Sequence, residues 1–384
     1  QKGRGASIST NPSGPSWIQL VAHEFGHQFN AEHTFNANAY GSTAGARAAA
    51  DAYEPASGST LMSYAGIADD NNGDDNLQLD PDSYFHAASF EDIQQYLATA
   101  TPASTTPLGN SVPTISGGSD YTIPADTPFA LTAAGADTDS GDTLTYTWEQ
   151  LDVGPAMSLP LTDNGSSPLF RSLPPSETPT RFFPRLIDLL ANVNTAEIGE
   201  TLPSTNRDLN FRATVRDGNG GVNSDDVLLT VVDTGTPFAV ATPNTGINWT
   251  GGTTQTIVWN VGGTDSGGIG VSNVMIDLSL DGGTSYAFSL SSSTANDGSF
   301  SFTVPNIDAT RARVRVQSIG NIFFDVSDVD FSITSNTGLP GGSVVESGGS
   351  TTTDEDGVVD GAGSDTFSFA LNTNPTSAIE VTFN

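Results

Sequence analysis

The sequence predicts a multidomain protein in which an α+β segment is followed by all-β sandwich modules. All four histidines, and the convincing helical patterns, lie within residues 1–100. Beyond about residue 114, short apolar stretches of period two alternate with turns, and the chain holds 41 Gly and 22 Pro. This pattern is typical of strands joined by tight turns.

Two helices are predicted in the first 100 residues. PSWIQLVAHEFGHQFN (15–30) spaces its large apolar side chains as one helical stripe, formed by Trp17, Leu20, Val21, Phe25 and Phe29. FEDIQQYLATA (90–100) reads as a second helix that closes the segment. TPASTTPLGNSVP (101–113) has the composition of a linker.

The remaining chain is divided by its strand patterns. Trp148 and Trp259 lie in the middle of predicted strands, where a core residue bridging the two sheets of an immunoglobulin-like sandwich is expected. VMIDLSL (274–280) and RARVRVQ (311–317) alternate apolar and polar residues, which predicts antiparallel sheets. We therefore expect one sandwich over 114–234 with a long proline-rich insertion (151–207), a second over 236–335, and an incomplete third β-module over 340–384.

Composition excludes several classes of protein. The net charge of −32, from 44 acidic and 12 basic residues, argues against a nucleic-acid partner, which needs clustered basic side chains. The charge favours solubility, and a secreted protein of a saline medium is the sharper hypothesis. No apolar stretch is long enough to predict a transmembrane segment, and no cysteine is present for disulfides. Half of the basic residues lie between residues 171 and 216, where internal ion pairs are expected.

The stretch HEFGHQFNAEH (23–33) holds three of the four histidines. His23 and His27 are four residues apart, so a helix presents both imidazoles on one face, as two ligands of one zinc ion require. Glu24 follows the first ligand, where its carboxylate can accept a proton from a water on the ion. His33 reaches the same ion only if the helix ends, and Asn30 tolerates the left-handed conformation that ends it.

With the turn and the third histidine, this stretch resembles the metzincin signature HExxHxxGxxH, with Asn30 in place of glycine. GSTLMSYAGI (58–67) is similar to the methionine turn of that clan. Together these motifs resemble the bacterial reprolysin-like metallopeptidases, and the β-modules look like the immunoglobulin-like and Calx-beta-like modules that accompany such enzymes. The resemblance implies that His23, His27 and His33 bind zinc, that Glu24 is the general base, that Met62 floors the site, and that Tyr64 stabilises the transition state.

The resemblance implies a secreted or cell-surface bacterial zinc endopeptidase of protein or peptide substrates, with modules for attachment to cells or polysaccharide. The alternative is a cell-surface adhesion protein with a vestigial or incomplete protease domain. Only 22 residues precede His23, so the upstream half of a metzincin domain is expected to be missing.

Three further predictions concern the pH dependence of zinc binding, a second ion and the remaining histidine. Zinc binding is expected to weaken near and below about pH 6, because the ligands must be neutral imidazoles. Calcium is a second candidate ion at DDNNGDDN (69–76) and ADTDSGDT (136–143), although such residues are also common in ordinary turns. His86 lacks a spaced partner and is expected to be structural.

Overall fold

A computed structural model of the chain describes residues 15–37, 45–68, 75–100, 109–337, 342–346 and 367–371. The helices are α1 (Pro15–Gln28), α2 (Ala87–Thr99), α3 (Leu186–Leu190) and a 3-10 helix (Thr195–Ile198). Helices α1 and α2 lie where the sequence predicts them. Within 15–37, 45–68 and 75–100, the structure adds to α1 and α2 one isolated parallel bridge, between Phe35 and Glu54.

The predicted apolar stripe of α1 is only partly buried. Phe25 and Phe29 are 51% and 36% exposed. The fully enclosed position of the helix's C-terminal half is instead Gly26, against which the side chains of Met62 and Phe85 pack. The packed face of this half is therefore the narrow strip beside Gly26, and the apolar stripe covers more of the helix than the fold buries.

The first sandwich begins directly after the predicted linker. Its strands are β1 (Thr114–Ser116), β2 (Tyr121–Pro124), β3 (Phe129–Thr132), β4 (Ala134–Ala136), β5 (Thr145–Gln150), β6 (Thr180–Phe183), β7 (Arg207–Arg216) and β8 (Val222–Val232). One sheet has the order β2-β8-β7-β5, and β3 pairs with β6 and β1 with β4. Strands β2 and β8 pair in parallel, which the expected antiparallel pattern does not include.

The second sandwich has strands β9 (Ala239–Thr242), β10 (Asn248–Thr250), β11 (Thr254–Asn260), β12 (Asn273–Ser279), β13 (Phe288–Ala295), β14 (Ser299–Thr303), β15 (Ala309–Ser318), β16 (Phe324–Val326) and β17 (Phe331–Thr334). Its larger sheet has the order β10-β17-β15-β12-β13, with β16 on β15, and its smaller sheet is β14-β11-β9. Strands β10 and β17 pair in parallel. The other pairs are antiparallel as predicted.

The two sandwiches share one hydrophobic core. Trp148 and Trp259 are 3% and 2% exposed within it, so the prediction that both are core residues is confirmed. Phe129 of β3 pairs with Phe323, which lies just before β16, and so joins the two units. The core therefore continues from one sandwich into the next.

The insertion at 151–207 forms secondary structure and contacts other parts of the fold. It supplies β6, which pairs with β3, and it contains the short helix α3. Its loops also lie against the N-terminal lobe, a name we use for the described residues 15–100. Ser59 Oγ donates to Ser172 O at 2.9 Å, and the amide of Leu159 donates to Asp75 Oδ1 at 2.8 Å. The insertion thus connects the sandwich to the lobe.

Internal ion pairing is the main role of the clustered arginines. Arg181 contacts Glu200 at 2.7 Å and Arg207 contacts Asp163 at 2.7 Å, both in buried surroundings. Arg212 joins the first sandwich to Glu91 of α2, also at 2.7 Å. The predicted internal pairs are confirmed for these residues.

The ends of the predicted domain plan are described only in part. Residues 101–108 of the predicted linker lie outside the described residues, whereas Asn110 and Ser111 hydrogen-bond to Asp217 and Asp139 of the first sandwich. In the predicted third module, β18 (Gly342–Glu346) and β19 (Phe367–Leu371) pair antiparallel, and the rest lies outside the described part. Among the described helices, none combines the length and apolar character of a membrane span.

Candidate metal centre

The end of helix α1 turns the chain back toward its own axis. The amide of Asn30 donates to His27 O at 3.2 Å, and the amide of Ala31 donates to Gly26 O at 3.0 Å. This pair of bonds is the Schellman motif, which requires a left-handed residue at its centre. Asn30 has φ of 80°, as predicted. The turn brings the segment after the helix beside its last histidine.

The three histidines of the motif converge at their Nε2 atoms. The Nε2 of His23 lies 3.1 Å from that of His27 and 3.2 Å from that of His33, and the remaining pair is 3.1 Å apart. All three rings are partly buried. The three nitrogens therefore form a nearly equilateral triangle.

The other ring nitrogen of each histidine fixes its tautomer. Each Nδ1 lies within hydrogen-bond distance of a backbone carbonyl: Leu61 at 2.6 Å for His23, Ala31 at 2.8 Å for His27, and Ala46 at 2.7 Å for His33. A carbonyl oxygen only accepts, so each neutral ring carries its proton on Nδ1. The three Nε2 lone pairs then face each other without a proton to share, an arrangement that a cation stabilises.

The donor set fits zinc. A tetrahedral ion with Zn–N bonds of ~2.0–2.1 Å separates two of its ligand nitrogens by about 3.3–3.4 Å, close to the spacing of the triangle. Nδ1 bonds to carbonyls are also the usual way in which metal-binding histidines are oriented. The geometry and the chemistry of the three rings therefore both suit this ion.

Burial keeps two of these rings neutral. Desolvation lowers the pKa of His23 and of His33 from the ordinary 6.5 to about 4, against the opposing effect of their carbonyl partners. Protons therefore compete with a metal for these two ligands at lower pH than the unperturbed imidazole value implies. The expected weakening near pH 6 does not follow for His23 and His33.

Met62, which the resemblance places at the floor of the site, packs against Gly26 on the helix turn between His23 and His27. Its side chain is fully buried, and a Cβ built on Gly26 would collide with its sulfur atom. The amide of Thr34 donates to Met62 O at 3.1 Å, which ties the loop to residues 34–37, the segment after His33. Gly26 is thus the position that admits the methionine loop against the helix, a role that the motif alone does not reveal.

Tyr64 and Glu24 lie at the same site. The Tyr64 ring centroid is 4.6 Å from that of His33 and 6.4 Å from that of His23. Burial, and then the nearby carboxylate of Glu24, raise the pKa of the Tyr64 hydroxyl. Glu24 is partly buried on α1, directly after the first histidine. Both predicted catalytic side chains therefore belong to the histidine cluster.

Glu54 is a residue that sequence reasoning missed. Its side chain is fully buried and accepts hydrogen bonds from three residues: Thr34 Oγ1 at 2.6 Å, Thr60 Oγ1 and N at 2.5 and 3.1 Å, and Ser59 N and Oγ at 2.7 and 3.2 Å. The carboxylate joins the segment after His33 to the methionine loop. The available sequence signal was a single acid between apolar and small residues, in YEPAS (53–57).

The fourth histidine has a structural role, as predicted. His86 is fully buried and caps the N-terminus of α2, where its Nδ1 accepts from the amide of Ala88 at 3.2 Å. Its Nε2 lies 3.8 Å from Glu149 of the first sandwich. The residue connects two parts of the fold and lies outside the histidine triangle.

One of the two calcium candidates becomes a cluster in space. Asp137 and Asp142 each place a carboxylate oxygen within 4.8 Å of one on Asp217, a residue that the sequence prediction did not include. We call these three the carboxylate cluster. Oδ2 of Asp137 and of Asp142 is buried without a hydrogen-bond partner. The other candidate, residues 69–76, lies mostly outside the described residues.

Comparison with known families agrees with the N-terminal assignment. Residues 5–83 match the family described as metallopeptidase family M12B, reprolysin-like. This stretch includes the three histidines, Met62 and Tyr64. No curated protein matches the sequence.

Solved structures resemble the chain at low identity. The N-terminal Ig1-2 module of the Drosophila receptor protein tyrosine phosphatase DLAR is 11% identical, with 59% of this chain and all of that chain covered and a TM-score of 0.31. The Bacteroides ovatus glucan-utilization protein SGBP-B, bound to a mixed-linkage heptasaccharide, is 14% identical, with 59% and 49% covered and a TM-score of 0.17. At these scores the likenesses carry no functional information.

Proposed function

We propose that this protein is a zinc-dependent endopeptidase whose zinc ligands are His23, His27 and His33. The observation that carries the proposal is the convergence of three unprotonated Nε2 atoms at 3.1–3.2 Å from one another. The match of residues 5–83 to a reprolysin-like metallopeptidase family supports the same activity. Calcium remains a second candidate ion, at the carboxylate cluster.

Zinc, when bound, supplies a Lewis acid for the scissile carbonyl and lowers the pKa of the attacking water toward ~7. Glu24 accepts the proton of that water and passes it to the leaving amine. Tyr64 donates a hydrogen bond from its hydroxyl to the developing oxyanion, and the raised pKa of that hydroxyl keeps it protonated. Met62 holds the floor of the site through packing.

The test of this proposal is the variant Glu24→Ala. We expect peptidase activity to fall by about 10²–10⁴-fold, the usual contribution of a general base, while zinc content stays the same. The matched control is Glu32→Ala, because Glu32 is an exposed acid of the same motif. Proteolysis by Glu24→Ala at the wild-type rate would contradict the mechanism.

We assign the β-modules to attachment, with 1–100 as the protease part, 101–113 as linker, 114–234 and 236–335 as sandwiches and 340–384 as a third module. The net charge of −32 supports a secreted or cell-surface protein of a saline medium, and bacterial origin rests on the sequence resemblance. The competing function, adhesion with a vestigial protease, predicts that wild type binds cells or polysaccharide and cleaves nothing. Side-by-side binding and peptidase assays of wild type and Glu24→Ala distinguish the two functions.

A further inference from the structure

Asn36 connects the segment after the third histidine (34–37) to the insertion of the first sandwich. It lies three residues after His33 and is fully buried. Its Nδ2 donates to Pro155 O at 3.0 Å, and its backbone carbonyl accepts from the amide of Met157 at 3.1 Å. Residues 154–157, which we call the insertion arm, therefore hold this segment by hydrogen bonds from the sandwich side.

Arg47 forms a second connection between the same two parts. Its guanidinium donates to Asn36 Oδ1 from Nε at 3.0 Å and from Nη2 at 2.6 Å, and Nη2 also donates to Gly154 O at 2.5 Å. The preceding residue, Ala46, supplies the carbonyl that lies 2.7 Å from His33 Nδ1. The arm thus fixes both the segment that follows His33 and the segment whose carbonyl orients its ring.

The arm is itself anchored inside the sandwich. Pro155 O accepts from Ser167 Oγ at 2.7 Å, and a Cβ on Gly154 would lie only 2.6 Å from the amide nitrogen of Ser167. Ser167 O in turn accepts from Nη2 of Arg207, a residue of β7 that is 7% exposed and paired with Asp163. A continuous set of hydrogen bonds therefore runs from a sandwich strand to the third histidine.

We propose that the insertion arm positions the third metal ligand, acting through Arg47 and Asn36. The proposal rests on the proposed function, since it assumes that His33 binds zinc. The first sandwich is then a structural part of the metal centre as well as a module beside it. Arg47 and Asn36 are positioning residues, because they touch the ligand's support and not the metal.

The test compares two arginines that both join the lobe to the sandwich. Arg47→Met removes the donors to Asn36 and Gly154 but keeps the aliphatic stem. Arg212→Met is the control, because Arg212 joins the sandwich to Glu91 of α2 and contacts no support of the histidines. Zinc affinity is measured on the full chain by competition with a chelator. We expect a loss of about 10–100-fold for Arg47→Met, typical of lost outer-shell support, and less than about threefold for Arg212→Met.

Cobalt substitution adds a readout that a general loss of stability would not move. The visible spectrum of bound Co²⁺ reports ligand geometry, and we expect it to change in Arg47→Met and to match wild type in Arg212→Met. If Arg47→Met does not fold, Arg47→Lys decides, since one ammonium cannot serve Asn36 and Gly154 as the planar fork does. An unchanged affinity and spectrum in the folded Arg47 variant would overturn this proposal alone. A wild type that binds no zinc would overturn the proposed function and this proposal with it.

Discussion

Replacing Glu54 by alanine should loosen the methionine loop and, with it, the metal centre. Glu54 is fully buried and accepts from the backbone amides of Ser59 and Thr60. It also accepts from the hydroxyls of Thr34 and Thr60. Alanine leaves all of these donors without an acceptor in a place that water does not reach freely.

The magnitude follows from the donors that cannot reorient. A hydroxyl can rotate toward another acceptor, whereas the amides of Ser59 and Thr60 are fixed by the backbone. Leaving a buried donor unsatisfied costs about 1–3 kcal/mol, so two amides cost about 2–6 kcal/mol. Glu54→Gln keeps one acceptor oxygen for the amides and should cost less than Glu54→Ala.

Hydrogen exchange of the peptide that contains residues 57–64 measures this loss where it occurs. A local cost of about 2 kcal/mol raises exchange of the two amides about 30-fold, since 1.4 kcal/mol is tenfold. Glu177→Ala is the matched control, because Glu177 is exposed on the first sandwich. Wild-type protection of Ser59 and Thr60 in Glu54→Ala would refute the account of Glu54 as the acceptor that holds this loop.

Three further predictions address the packing, the protonation and the second ion. Gly26→Ala should lower the free energy of unfolding by about 1–3 kcal/mol through overpacking against Met62, and should also lower zinc affinity. Met62→Val should relieve both losses. Equal zinc affinity in wild type and Gly26→Ala would contradict the contact. In the metal-free protein, the imidazole resonances of His23 and His33 should titrate near pH 4, because burial lowers each pKa to about 4. Because each folded-state pKa lies below the unfolded value, the stability of the metal-free lobe falls as pH drops from about 6.5 toward 4. Titration of either resonance near pH 6.5 would refute the predicted pKa shift. Calcium at a hundred times its Kd should stabilise the first sandwich by about 2.7 kcal/mol through the carboxylate cluster, and so raise its melting temperature. Asp142→Asn should abolish that rise. No rise in wild type at ~10 mM calcium would exclude the site.

Local patterns predicted the parts of this protein that depend on local chemistry. The apolar spacing of residues 15–30 predicts the helix, and the left-handed tolerance of Asn30 predicts its end and the direction of the chain after it. The alternation around Trp148 and Trp259 gives buried strands of sandwiches. Each of these follows from residues within one turn or one strand of each other.

What the sequence did not reveal depends on contacts between distant segments. Asp217 joins the Asp137 loop from about 80 residues away, which no local motif indicates. The parallel pairing of β2 with β8 likewise depends on how the sheet closes. Phe25 fits the helical stripe but remains 51% exposed, because periodicity predicts which residues share a face and does not predict which segments pack against that face.

The histidine triangle shows why the motif and the fold must act together. The motif determines which imidazoles converge, but an imidazole presents a lone pair at Nε2 only if its proton is held at Nδ1. The three carbonyls that hold those protons belong to Leu61, Ala31 and Ala46, in three separate segments of the chain. One is fixed by the helix end, one by the methionine loop and one by the segment that Arg47 ties to the sandwich. On the proposed function, we therefore expect zinc affinity to depend on this tertiary arrangement, and we expect a variant far from the histidines to lower it when it releases one of these carbonyls.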